Sequence, residues 1–324
     1  MLQLVNISNY TSDIEIINNN PQVLKEFLKQ HNLDGLEIIF CNTWDEILHP
    51  TEVVQGVHLR FWPTWLDFWH GDNQELLKQF GSEDNIIACY GGLTRVAWLA
   101  TYRENIRTAV KTGAKYMVFH VSHARVPEFF SGNFNASDSE VIEATIELVN
   151  ELADEIPPDV ALLFENLWWP GLTLKKPTLV ARLLDNVKLK HPNVGIMLDT
   201  GHLMNTNQDL TSEAEGIDYI LNILDNLGKY CQYVRGVHLH KSLSGQYMKQ
   251  YSCKKKEKYD MTEIMNHVLK IDQHQPFTTS EVQRLIDYIK PEFLVHEFMY
   301  SSLEEWSQKI MVQQAALKQG ELQK

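Results

Sequence analysis

The sequence predicts a closed (β/α)8 TIM barrel. Eight short β-rich apolar runs recur along the 324 residues, amphipathic segments separate them, and acids and histidines fall at the same end of six of the runs. The strands are expected at residues 2–7, 35–40, 53–61, 116–122, 161–166, 194–200, 234–241 and 293–298. Amphipathic helical patterns lie at 21–30, 94–112, 139–154, 177–190, 213–227 and, after the last strand, 302–317. Helix signals agree with this reading: Asn20 precedes Pro21, Ser139 precedes an acidic turn, and Gly113 follows a long helical stretch. An open doubly wound sheet usually has fewer strands and a Gly-rich first turn, and neither G-x-G-x-x-G nor a P-loop occurs here.

Composition narrows the class further. With 44% apolar and 22% charged residues, 11 prolines and 16 glycines, the chain is ordinary globular material and not low-complexity. No apolar run approaches the roughly 18 residues of a membrane span, and the first ten residues lack the basic start and apolar stretch of a secretion signal. The expectation is a cytoplasmic protein, one domain over 1–324, without a membrane partner and with a homo-oligomer left open. Cys41, Cys89, Cys231 and Cys253 show no C-x-x-C spacing, so reduced thiols are expected and any metal must use other ligands. A net charge of −13 makes a nucleic-acid partner unlikely, because such binding rests on neutralised phosphates. The basic run Lys254-Lys255-Lys256-Glu257-Lys258 reads as a solvated loop face.

Two segments exceed what a minimal barrel needs. One, 62–92, follows strand three and begins with an aromatic set, Phe61, Trp62, Trp65, Phe68 and Trp69, and the other, 242–276, follows strand seven and carries the lysine run. Both leave the C-terminal ends of strands, where barrels place their sites, and both are expected to act as lids or pocket walls.

The polar residues carry the functional signal. His58, His120, Glu165, Asp199, His238 and Glu297 each lie near the end of a different strand, and Asp199 opens an Asp-x-x-His sequence ending at His202. Strand alternation points Leu163 and Glu165 one way and Leu162 and Phe164 the other, and it turns His238 and His240 inward together. Singly, each residue reads as a cap, an ion-pair partner or a packed imidazole. Jointly, Glu165, Asp199 and Glu297 at one barrel mouth concentrate negative charge that no Lys or Arg relieves, Arg60 excepted. A divalent cation resolves that conflict, and mixed carboxylate and imidazole ligation suits Zn, Mn, Fe or Co.

The order Glu165-Asn166, Leu198-Asp199-Thr200-Gly201-His202, Val237-His238-Leu239-His240 and Glu297 on successive strands resembles the xylose isomerase-like TIM-barrel superfamily. That superfamily holds sugar and sugar-phosphate isomerases and epimerases together with endonuclease IV. The resemblance implies a shared metal site of Glu165, Asp199, His238 and Glu297, with Glu165 and Glu297 also catalytic. Endonuclease IV-like members hold three metals, which implies further ligands in His58, His120, His202, Asp272 and His274, hence one to three ions. Departures accompany the match: His202 is followed by Leu203-Met204-Asn205, not Phe-Ala-Ala, and strand seven continues His240-Lys241-Ser242 where the nuclease has Asn-Asp-Ser. Strand eight reads His296-Glu297-Phe298, not Leu-Glu-Thr. These differences preserve ligand chemistry and count against DNA recognition.

A metal among Glu165, Asp199, His238 and Glu297 would polarise a carbonyl or hydroxyl and stabilise an enediolate, while the two glutamates remove and return a proton. The first expectation is therefore a sugar or sugar-phosphate isomerase or epimerase with a small-molecule substrate. Trp62, Trp168 and Trp169 are candidates for stacking on a sugar, and Arg60, His240 and Lys241 for holding an oxyanion or phosphate. The alternative is an endonuclease IV-like multinuclear phosphodiesterase. A barrel that binds without turnover is a third reading.

Overall fold

A computed structural model describes residues 1–40, 43–251 and 260–322. The strands are β1 (Leu2–Ser8), β2 (Gly35–Ile39), β3 (Val54–His58), β4 (Tyr116–His120), β5 (Ala161–Glu165), β6 (Val194–Asp199), β7 (Val234–Leu239) and β8 (Phe293–His296). They pair in sequence order and in parallel, and β1 closes on β8. The closed (β/α)8 barrel expected from the sequence is thus the observed architecture. β3 is shorter than its apolar run because the ladder with β4 ends at His58, where Leu59 N makes one last bond to Val118 O at 3.0 Å.

Local chemistry explains the helices. Pro21–Gln30 begins under Asn20, whose side chain accepts from Gln22 N, with Pro21 at the first turn where its missing N–H costs nothing. Asp138–Leu152 starts just ahead of the expected 139 because Ser137, not Ser139, supplies the cap, paired reciprocally with Glu140. Arg95–Lys111, Pro177–Val187, Glu213–Asn226 and Val282–Ile289 complete most of the outer layer, and Leu303–Leu322 follows β8. Among the described residues the β2–β3 connection holds no helix.

Two cores result from strand alternation. Residues pointing outward pack against the helices, as Leu24, Phe27 and Leu28 do on one apolar face of Pro21–Gln30. Residues pointing inward fill the lumen: Leu4, Tyr116, Val118, Ala161, Leu163, Met197, Phe293 and Val295 form an apolar plug below the mouth. Gly56 matters to that plug, since a Cβ there would fall inside the Tyr116 ring.

The 62–92 segment folds into short helices Leu66–His70, Asn73–Phe80 and Glu83–Tyr90. Its aromatic side chains are not a pocket wall. Trp62, Trp65, Phe68 and Trp69 are buried around the fully buried Trp98, with ring centroids 5.7, 5.8, 5.7 and 6.2 Å away. This aromatic part of the outer core anchors Arg95–Lys111 to the barrel. The basic run 254–258 lies outside the described residues. On either side of it, Gly245–Tyr251 and Met261–Ile271 lead the chain back to β7, where Lys241 and Gln275 form an antiparallel bridge.

Candidate metal centre

Above the apolar plug, the inward positions at the C-terminal strand ends become polar. β3 supplies His58, β4 His120, β5 Glu165, β6 Asp199 and β7 His238, and register places His120 opposite Glu165 and Asp199 opposite His238. Glu297 follows β8 directly. His202 sits in the turn Thr200–Asn205, whose N-cap is Asp199: the His202 N–H donates to Asp199 Oδ1 at 2.6 Å. Asn166 locks this corner, donating to Asp199 O and accepting from Asp199 N at 3.0 and 2.9 Å. Asp272 and His274 arrive from the long loop, brought to the mouth by the Lys241–Gln275 bridge and by Gln273 N donating to Ser242 Oγ at 2.9 Å. His274 adopts a left-handed backbone with φ 45°, a conformation a non-glycine residue holds only when its surroundings enforce it.

The structure brings all nine sequence-predicted donors into one cluster. Glu165 is its hinge. Its Oε2 lies 2.9 Å from His58 Nε2, and its Oε1 lies 3.3, 3.2 and 3.5 Å from His120 Nε2, His202 Nδ1 and His238 Nδ1. His238 Nδ1 is also 3.3 Å from Glu297 Oε2 and 3.8 Å from Asp199 Oδ2. On the far side, Asp272 Oδ2 meets His202 Nε2 at 3.1 Å and His274 Nδ1 at 3.4 Å. Among the described residues four groups have ligand atoms close enough to share an ion: His58–His120–Glu165, Glu165–Asp199–His238, Asp199–His202–His240 and His240–His274–Glu297.

Hydrogen bonding shows what such a cluster offers a cation. His58 Nδ1 donates to Leu59 O at 3.0 Å and His202 Nδ1 to Asn166 O at 3.0 Å. A neutral ring so anchored turns the bare Nε2 lone pair toward a carboxylate oxygen, which is repulsive unless a proton or a metal lies between. Glu165 Oε1, His238 Nδ1, Asp272 Oδ1 and Glu297 Oε2 are buried without any hydrogen bond. None of Glu37, Glu165, Asp199, Asp272 and Glu297 has a Lys or Arg ion-pair partner among the described residues; their partners are histidines. Burial, with the Asp199 and Glu165 carboxylates adding to it against the pull of His238, pushes the Glu297 carboxyl up to about 8. Burial also holds His120 and His274 down at about 4, which keeps their lone pairs available. The donor set fits divalent Zn, Mn, Fe or Co, and its distribution offers places for more than one ion.

Solvent reaches this cluster through few side chains. His120, His274 and Glu297 have side chains 13, 12 and 14% exposed, while Glu165, Asp199 and His238 are sealed. The half-buried rings Phe61 and Trp168 flank the opening, Phe61 stacked on His120 at 4.3 Å and Trp168 tilted over His202 at 5.1 Å.

The other candidate contacts spread out. Trp62 lies in the Trp98 core with its indole N–H donating to Cys89 O, and Trp169 stacks on Phe129 at 4.3 Å behind Trp168. Arg60 is exposed and lies over the Trp62 ring at 4.6 Å. Lys241 forms an ion pair with Glu213, and His240 is fully buried against Asp199.

Sequence reasoning passed over Glu37. It stands inward on β2, buried, taking His238 Nε2 at 2.9 Å and the Tyr116 hydroxyl at 2.8 Å. The available signal was a lone acid inside the otherwise apolar Gly35–Ile39.

A closed parallel barrel with carboxylates and imidazoles gathered at its C-terminal mouth defines a TIM barrel with a candidate metal site. The chain belongs to the xylose isomerase-like TIM barrel family, whose model matches residues 26–316. Comparison with curated protein sequences gives no match. Among solved structures it is similar to a D-tagatose 3-epimerase-like protein, with TM-score 0.55 and 16% identity over 100% of this chain and 99% of that one. It is likewise similar to endonuclease IV from Thermus thermophilus, with TM-score 0.53 and 15% identity over 98% and 100%. A D-psicose 3-epimerase follows at TM-score 0.51 and 13% identity over 99% of each chain. At these identities the likeness is one of fold.

Proposed function

We propose that the protein is a metal-dependent enzyme that hydrolyses a phosphate ester of a small molecule on a multinuclear centre. The observation that carries this reading is the meeting of His202, Asp272 and His274 beside the four-donor set of Glu165, Asp199, His238 and Glu297. A proton shuttle on a sugar needs the four donors alone; a third group of donors has a use where several phosphoryl oxygens must be held together. Bound divalent ions would supply positive charge for those oxygens and acidify a water. The chain's own part is to divide the donors: Glu165 turns one oxygen to His58 and the other to His120, His202 and His238, so it joins neighbouring places. Phe61 and Trp168 offer apolar faces to the rest of the substrate.

Charge favours a small substrate over a DNA backbone. Near the mouth, Lys241 is held by Glu213 and Arg125 by Asp67, which leaves those cations committed, and the chain's net charge is −13. The sugar isomerase or epimerase reading keeps one specific support. Glu165 Oε1 and Glu297 Oε2 approach the same His238 nitrogen at 3.5 and 3.3 Å, so two carboxylates share one centre and could exchange a proton at adjacent carbons.

Metal analysis of protein purified without chelator or nickel separates the two, joined to assays on small phosphomonoesters and phosphodiesters and on ketoses in deuterated water. Two or three ions per chain with phosphate-ester turnover is the expected result. One ion with deuterium entering a sugar favours the isomerase or epimerase reading instead. Glu165→Gln is expected to lower turnover by more than about 100-fold, since even outer-shell partners of such sites are worth about 10–100-fold.

A further inference from the structure

His240 is the one imidazole of the cluster that the nine-donor set does not use. We infer that it is a positioning residue which, by donating to Asp199 Oδ2, confines that carboxylate to a single ion. The inference rests on the metal-centre reading above and goes beyond it, because it assigns the division of labour between the ions.

The ring is fully buried on the inward side of the chain just after β7. Its Nε2 lies 2.9 Å from Asp199 Oδ2 and 3.7 Å from Glu297 Oε2, so the near contact is one of hydrogen-bond length and the far one is not. Its Nδ1 is buried with no hydrogen bond. A neutral imidazole must carry its proton on one nitrogen, and a bare acceptor costs less in a buried site than a bare N–H. The proton therefore sits on Nε2 and points at Asp199, which makes His240 through that nitrogen a donor to a ligand.

The ring has little freedom to do otherwise. It stacks on His274 with centroids 4.2 Å apart and planes 12° apart. A Cβ on Gly201 would fall inside the imidazole, so the glycine of Asp199-Thr200-Gly201-His202 is what admits it. Thr200 pins the backbone, its one hydroxyl proton shared between the His238 and His240 carbonyls while its oxygen accepts from His240 N at 3.1 Å.

Asp199 is consequently held at both oxygens: Oδ1 accepts from His202 N at 2.6 Å and Oδ2 from His240. With Oδ1 turned to the backbone, Oδ2 alone faces the donors, 3.5 Å from His202 Nδ1 and 3.8 Å from His238 Nδ1, so Asp199 has a single oxygen to offer and cannot chelate through both. Glu165, with its two oxygens turned to different histidines, would be the carboxylate shared between neighbouring places, and His202, Asp272 and His274 would hold an ion of their own.

The test is zinc titration by calorimetry on the full chain and on His240→Leu, His240→Gln and His240→Asn, with metal-free melting curves as a check on folding. His240→Leu is expected to bind one ion about 10–100-fold more weakly while its other ions keep their affinity, and His240→Gln, which retains an N–H donor, to recover most of the loss. Wild-type affinity for every ion in His240→Leu overturns the inference, as does failure of the donor-bearing variants to rescue it. A crystal structure of the zinc-loaded wild type supplies a measurement independent of any variant: His240 Nε2 on Asp199 Oδ2 supports the assignment, and His240 Nε2 at about 2.0–2.1 Å from zinc overturns it. A wild-type chain that takes up no zinc removes the metal-centre reading itself, a result distinct from loss of this one residue's role.

Discussion

At His238 the choice of nitrogen is made by the protein. Nε2 is committed to Glu37, which leaves Nδ1 facing Glu165 and Glu297, the arrangement by which a carboxylate behind a histidine fixes its tautomer and raises its basicity. Glu37→Gln keeps the shape and removes the charge, so metal affinity is expected to fall about 10–100-fold with the barrel intact, read from zinc competition against a chromophoric chelator. Six of the nine donors were legible because period-two alternation and a common strand end place His58, His120, Glu165, Asp199, His238 and Glu297 without any tertiary knowledge; His202 followed from its spacing to Asp199, and Asp272 and His274, on a returning loop, were reachable only through the family resemblance. Glu37 was not, since it stands in the middle of its run on β2 and acts through His238 on β7, across the barrel. The same limit applied to His240, whose inward direction was readable and whose partner was not.

Elements divide in the same way. Eight strands were readable from short apolar runs, and helix starts from Asn20 and its like, because both signals are local. The aromatic set around Trp62–Trp69 reads identically for a pocket wall and for a core, and only contact with Trp98, more than twenty residues on, decides between them. At the exit of β7 an element is tied down by charge. Glu213, the first residue of Glu213–Asn226, holds Lys241 and accepts from the N–H and hydroxyl groups of Thr278 and Thr279. Burial opposes ionisation there, yet Lys241 and Thr278 outweigh it and bring the carboxyl down to about 2. Because the folded value lies below the ordinary carboxylate value, this stabilisation is complete above about pH 4.5 and is lost as pH falls toward 2. Glu213→Gln is expected to cost about 1–2 kcal/mol in urea unfolding at pH 6, and the gap from wild type should close as the pH approaches 2.

Across the whole molecule the donors come from six different strand ends and one returning loop, so an ion placed among them cross-links most of the barrel mouth. Any ligand bound to the folded chain alone stabilises it, by about 4 kcal/mol when free metal is 1,000 times its dissociation constant. Exhaustive chelation is therefore expected to lower the melting temperature by several degrees and zinc to restore it, with His202→Ala combined with His274→Ala recovering only part of the shift. A melting curve indifferent to chelator and zinc contradicts this.

The link from lumen to mouth runs through a position with no side chain. Gly56 leaves room for the Tyr116 ring, the Tyr116 hydroxyl holds Glu37, and Glu37 holds His238. A methyl group at position 56 would press on that ring and pass the displacement up the chain of contacts to a donor atom. A genetic selection for dead variants should then return Gly56 beside the histidines and acids, and the map of intolerant positions would reach a full layer deeper into the barrel than any group able to touch a metal.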